Sequence, residues 1–407
     1  MHGSNNLNPR ILYLDFLRGF ALFGILIANL PYLAEPMYGF SEFNSQISNW
    51  ARAIVSFFVV GKFFIIFSFL FGYGFGIQIE TKNSTKDSDQ SSRRKFYRRL
   101  IGLLFFGIIH AAFLYDGDIL VTYAILGFIL YQFRNISFFE WKLAVVLFWL
   151  LSLVCYFLLG LLTYMDSTNE TILQALSQDS IKAHLADFPT TAIQKIYELF
   201  YSFPYLVLYN WPSAFMMFLI GIWAHKNRII DKDLSEILSI LRMNRMRVYT
   251  IVIIAIVSNL CYTISYFLNH DFVYGAIFSS FLAFGGLSLS LLYCLGWKYF
   301  IEAAELNSEK NYTVNSLTLF LRKIRFGFIN LVAGSGRMSL TNYLSQSFIC
   351  NFIFNGWGLG FYGQLPPEIY FFLSVPIYIF NLIFSNIWLR YFAQGPLEYV
   401  LRKWTKI

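Results

Sequence analysis

Charged side chains make up only 13% of this 407-residue chain, about half the share carried by a water-soluble protein. So few charges cannot cover a water-facing surface. The two or three soluble domains that the length would otherwise allow are therefore excluded. Cysteine is equally scarce. Cys155, Cys261, Cys294 and Cys350 are scattered through apolar stretches, with no metal spacing and no pairing pattern, so neither a disulfide scaffold nor a zinc site is expected. What fills the chain instead is oil: 57% of residues are hydrophobic, with 46 Phe and 27 Tyr, and the mean hydropathy is +0.55. Only a multispanning membrane protein fits.

A membrane-crossing helix needs about 20 predominantly apolar residues. Ten segments qualify: 11–31, 54–79, 97–115, 119–133, 141–164, 205–225, 248–268, 273–299, 338–355 and 369–389. The fourth is the shortest and is joined to the third by Asp116-Gly117-Asp118, a turn signal, so the two form a tight helical hairpin. The fold class is all-α, a polytopic bundle of about ten helices in one integral membrane domain spanning 1–407. With the N-terminus inside, 26 of the 31 basic residues fall on the inner side, and Arg52, Lys182 and Lys195 are the basic residues left outside. That is the positive-inside pattern, and it makes both termini cytoplasmic. The basic loop 80–96, the linker 226–247 and the basic amphipathic segment 300–337 then face anionic headgroups rather than nucleic acid. Residues 315–333 lie along the inner interface. The extracytoplasmic loop 165–204 holds a short amphipathic helix. The first span, interrupted by Asp15 and Arg18, does not read as a cleaved leader. The lipid bilayer is the main partner, and a homodimer is compatible.

Polar residues inside spans are costly, so they mark candidate sites. Asp15 and Arg18 stand one turn apart and, with Asn29, share a helix face; the pair is either a packing device or part of a site. Lys62 either snorkels outward or serves a ligand, and Gly72, Gly74 and Gly76 after it favour close helix packing. His110 is the most informative residue, because a neutral imidazole can take a proton near pH 7. Asp118, eight residues on, either caps the next helix or orients His110 across the hairpin. Asn342 and Gln346 are neighbours on one helix face, which binds a polar ligand or glues helices together. Arg337 stands at the cytoplasmic mouth and holds a phosphate or anchors to the inner leaflet. Gly358-Leu-Gly360-Phe-Tyr-Gly363 has the spacing of a dinucleotide fingerprint without its strand and helix context, and reads as an outer loop.

Five stretches together resemble the YeiB-like family of bacterial multispanning membrane proteins, a domain of unknown function: Arg10 to Asn29, Lys62 to Gly76, His110 to Gly127, Gly336 to Ser347, and Gly395-Pro396-Leu397-Glu398. That family is distantly similar to membrane acyltransferases of the heparan-α-glucosaminide N-acetyltransferase type. The resemblance implies a multi-pass protein of the bacterial plasma membrane. It also implies transfer of an acyl group, acetyl first among them, from cytoplasmic acyl-CoA to a small-molecule or cell-envelope glycan acceptor outside. His110 matches the implied intramembrane histidine, and no metal is implied. The competing expectations are a transporter of a small solute or lipid-linked molecule, with Asp15, Lys62 and His110 as a proton relay or substrate site, and a non-catalytic envelope scaffold. Against the transporter, the sequence shows no pair of broken helices.

Overall fold

The computed structural model describes residues 9–38, 43, 45–80, 86–167, 170–267, 272–309 and 316–406. Every regular element among them is helical. In chain order these are α1 (Pro9–Ala34), α2 (Gln46–Phe58), α3 (Phe63–Glu80), α4 (Lys86–Phe113), α5 (Ile119–Leu130), α6 (Phe138–Ser167), α7 (Glu170–His184) and α8 (Phe188–Lys226). They continue as α9 (Leu234–Ile240), α10 (Arg245–Phe267), α11 (Phe272–Ser280), α12 (Leu282–Glu309), α13 (Ser316–Arg337), α14 (Ser339–Phe354), α15 (Pro367–Tyr391) and α16 (Pro396–Lys406). The protein is an all-α polytopic bundle. Leu143, Val146, Leu147, Leu150, Leu151, Val154 and Leu158 form an exposed stripe along α6 at helical spacing, and α10 exposes Ile253, Ile256, Val257 and Leu260. Such faces suit hydrocarbon and not water.

Eight helices among the described residues are long and apolar enough to cross a membrane. Helices occupy the other two expected positions as well, but α5 has 12 residues and α14 has 16, each short of the roughly 20 a full crossing takes. Two of the eight segments depart from the sequence reading in shape. The segment expected as one helix at 54–79 is broken at Val59–Lys62 into α2 and α3, with Gly61 at φ +81°. Residues 188–204, expected within the loop 165–204, are helical: α8 runs unbroken from Phe188 to Lys226. The basic stretch expected along the inner interface also differs. Its second half is buried at Ile329, Val332, Ala333 and Ser335, because α13 lies against α1, where Gly19 and Gly336 admit the neighbouring backbone.

The most extensive helix packing is that of α3 with α8. A Cβ on Gly72 would stand 2.3 Å from the Phe218 carbonyl oxygen, and one on Gly221 would stand 2.4 Å from that of Phe69. The two backbones touch, and only hydrogen fits between them. Gly72→Val is therefore expected to destabilise the protein by about 1–3 kcal/mol, the usual cost of overpacking, read as a lowered unfolding midpoint; an unchanged midpoint would mean these helices separate freely. Gly74 faces open space, so of the sequence-marked glycines it is the one not used for packing.

Candidate active site

Two glycine-admitted approaches place the site. Gly107 in α4 lets α5 come so near that a Cβ there would lie 2.7 Å from Val121 N and 2.8 Å from Asp118 Oδ1. One turn later on α4, His110 meets Asp118. Asp118 does both things the sequence allowed. Its Oδ1 accepts the Val121 backbone N–H at 2.7 Å, capping α5. Its Oδ2 accepts from His110 Nδ1 at 2.7 Å. With Nδ1–H donating to the carboxylate, Nε2 is the ring atom left bare, and it has no hydrogen-bond partner among the described residues. His110 is 0% exposed. Its ring packs against Tyr343 of α14 at 4.9 Å and against Tyr115 at 6.2 Å between centroids. The Tyr343 hydroxyl in turn accepts the Ile119 N–H. An oriented imidazole with one free nitrogen is the arrangement that general-base or nucleophilic chemistry needs.

The hairpin that holds this dyad also walls a cavity of about 790 Å³, lined by Tyr115, Asp116, Gly117 and Ile119 and reaching Asn29 of α1. Neither His110 nor Asp118 lines it; Tyr115, whose ring lies 6.2 Å from that of His110, does, and its hydroxyl donates to Asn29 Oδ1 at 3.2 Å. The broken segment contributes Val59, Val60 and Gly61 to the lining. Asp116 is buried; burial pushes its carboxyl up, with Glu198 adding to this and Lys195 opposing it.

The other sequence candidates lie elsewhere. Asp15 and Arg18 do pair, at 2.8 Å, near the α13 crossing. Lys62 does not snorkel: it is 0% exposed, and its Nζ donates to the Ser56 carbonyl at 2.9 Å. The break after α2 frees carbonyls at that helix's C-terminal end, and the Lys62 amine satisfies one of them. Asn342 is helix glue. Its amide donates to the Ser335 carbonyl and Ser385 Oγ, and its carbonyl oxygen accepts from Asn381 and Ser385. Gln346, 2% exposed, has neither amide atom partnered among the described residues. It stands one turn beyond Tyr343, on the side of α14 that faces His110. Arg337 is exposed and donates to the Ala393 carbonyl.

The terminal Gly-Pro-Leu-Glu stretch finds a physical role. Glu398 Oε1 accepts the backbone N–H groups of Leu340 and Thr341, and its Oε2 accepts the Thr341 hydroxyl. It caps the N-terminus of α14 from α16. Glu398→Ala should cost about 1 kcal/mol, typical of a lost cap, measured as a lower unfolding midpoint with Glu398→Asp recovering part of it.

A second buried network lies at the same end of the bundle as the cavity, and sequence reasoning missed it. His184, at the end of α7, is 1% exposed. Its Nδ1 faces Asn355 Oδ1 at 2.9 Å and its Nε2 faces Glu198 Oε2 at 3.0 Å, while its ring stacks on Tyr362 at 4.0 Å. Glu198 also accepts from Ser180 and Gln194. Asn355 donates to Asn351, and Asn351 donates to the Leu114 carbonyl. The chain of bonds thus ends on the hairpin that carries His110. The glycine-rich loop after α14 closes over this network, with Gly356 N–H on the His184 carbonyl and Gly363 N–H on that of Ala34.

Among known proteins, the family model described as "Protein of unknown function (DUF418)" matches residues 311–407. The chain is similar along nearly its whole length to "Uncharacterized protein YxaH" of Bacillus subtilis (strain 168), 29% identical over 424 residues, covering 98% of this chain and 94% of that protein. It is also similar to "Uncharacterized protein YeiB" of Escherichia coli (strain K12), 26% identical over 430 residues, covering 97% and 96% respectively. An "Uncharacterized 39.9 kDa protein in amylase 3'region" of Bacillus acidopullulyticus is 26% identical over 405 residues, covering 98% of this chain and 94% of that protein. No solved structure matches the chain.

Proposed function

We propose that this chain, which belongs to the YeiB-like DUF418 family of multi-pass membrane proteins, is an acyltransferase of the bacterial plasma membrane that moves an acyl group from cytoplasmic acyl-CoA to an acceptor on the outer side. The observation that carries this reading is the His110–Asp118 dyad, with Nε2 unpartnered and a 790 Å³ cavity lined by the neighbouring Tyr115. Most buried polar side-chain atoms are hydrogen-bonded, so a bare nitrogen on a fully buried imidazole is an exception that chemistry accounts for. Here Asp118 holds the tautomer, and the bare Nε2 accepts either the acyl group or the acceptor's proton. The thioester C–S bond breaks, the acyl carbon bonds to the acceptor oxygen, directly or by way of Nε2, and the proton lost by the acceptor hydroxyl ends on the CoA thiol. Acetyl-CoA is the donor tried first. Arg337, exposed at the end of the bundle opposite the cavity, is the residue offered to a donor phosphate. Tyr115 must swing aside for an acceptor in the cavity to reach Nε2.

Purified protein given acetyl-CoA and an acceptor mixture should release free CoA thiol above the rate of protein-free detergent. Release at the background rate with every acceptor tried would count against the reading.

One observation favours a second reading. The α2–α3 break borders the cavity, and discontinuous helices at a binding site are a transporter feature. Flux of an intact solute driven by a proton gradient in liposomes, without thiol release, would select transport.

A further inference from the structure

The cavity wall carries a chemical signature of its own. Eight tyrosines line it, together with Asn29, Asn49 and Asn210. Asn210 stands out: it is 5% exposed overall and borders the cavity, so its amide is a polar group a ligand there can meet. Two charged residues reach the lining, Arg52 and Asp116, and the protein already answers both. Arg52 lies 3.4 Å from Glu35 and donates to the Phe43 carbonyl. Asp116 is buried, and burial pushes its carboxyl up toward the neutral form, with the nearby Lys195 opposing this. A wall of ring faces, hydroxyls and amides with no spare charge penalises an ion, which would be desolvated without a counter-charge. It suits a ligand with apolar ring faces and many hydroxyls. An aromatic cage for an organic cation is the nearest rival. Against it, the Arg52 cation is already in the same wall.

We infer that this cavity binds an uncharged, polyhydroxylated ring, a neutral carbohydrate unit, with Asn210 as its recognition amide. In calling that unit the acceptor, the inference rests on the acyl-transfer reading; as a binding site it does not. Calorimetric titration of the full chain in lipid nanodiscs tests it, using methyl β-D-glucopyranoside, hexyl β-D-glucopyranoside, glucosamine, glucose 6-phosphate and choline. The two neutral glucosides should bind, and the three charged probes should bind about tenfold more weakly or worse. A tighter hexyl compound identifies a lipid-linked source; equal binding identifies a free one. Asn210→Leu should weaken glucoside binding by about tenfold, and Tyr209→Phe, which removes one hydroxyl and leaves the ring in place, by a smaller factor. His110→Ala should bind as the wild type does, so a loss of acyl transfer and a loss of this site are separately visible. The inference is overturned if choline or glucose 6-phosphate binds best, if none of the probes binds, or if glucoside binding survives both Asn210→Leu and Tyr209→Phe unchanged.

Discussion

His110→Ala should abolish acyl transfer, a fall of about 10²–10⁴, while the protein still inserts and folds. The imidazole makes one polar contact, to Asp118. Its removal therefore unpairs one carboxylate oxygen and costs about 1–3 kcal/mol, too little to unfold the bundle. Asp118 keeps its hold on Val121 N–H, so α5 stays capped. Asp118→Asn should lose less activity, because the ring remains but its tautomer is no longer imposed by a carboxylate. Thiol release measured beside thermal unfolding separates chemistry from folding. A fully active His110→Ala protein would remove the acyl-transfer mechanism.

Glu198→Ala should be the most destabilising single change, about 3–5 kcal/mol, the scale for removing one partner of a buried ion pair. Glu198 accepts from His184, Ser180 and Gln194, and Lys195 is buried beside it. Without the carboxylate, two buried basic side chains lose their counter-charge. The damage should spread along Asn355 and Asn351 to the His110 hairpin, so thiol release at permissive temperature should fall as well. An unfolding midpoint unchanged by Glu198→Ala would show that α7 is not held by this network.

What was legible in the sequence lies close together along the chain. Asp15 and Arg18 are one turn apart, and His110 and Asp118 are joined by a turn that Asp116-Gly117-Asp118 announces; both pairs form as local geometry allows. The apolar runs announced the bundle. What was not legible is either long-range or conformational. His184 pairs with Asn355 across 171 positions, and no local spacing marks such a partner. Asn342 read equally as a ligand face or as helix glue, because Ser385 and Asn381, which it binds, sit on another helix about 40 residues away. The break at Val59–Lys62 is short and flanked by Phe-, Ile- and Val-rich runs, so over a span-length window the apolar stretch reads as continuous. The same break explains the lysine: its ammonium holds the Ser56 carbonyl and has no need to reach water. The cavity's eight tyrosines were hidden among the 27 of the chain.

The central claim is that an acyl group crosses the membrane through His110, and sidedness tests it most directly. Protein is reconstituted in sealed liposomes with its N-terminus facing out, an acceptor glycoside is trapped inside, and acetyl-labelled acetyl-CoA is added outside. The account predicts labelled acceptor in the lumen with wild-type protein and none with His110→Ala. Label that stays on CoA at the rate of empty liposomes, or equal lumenal labelling by both proteins, would contradict it.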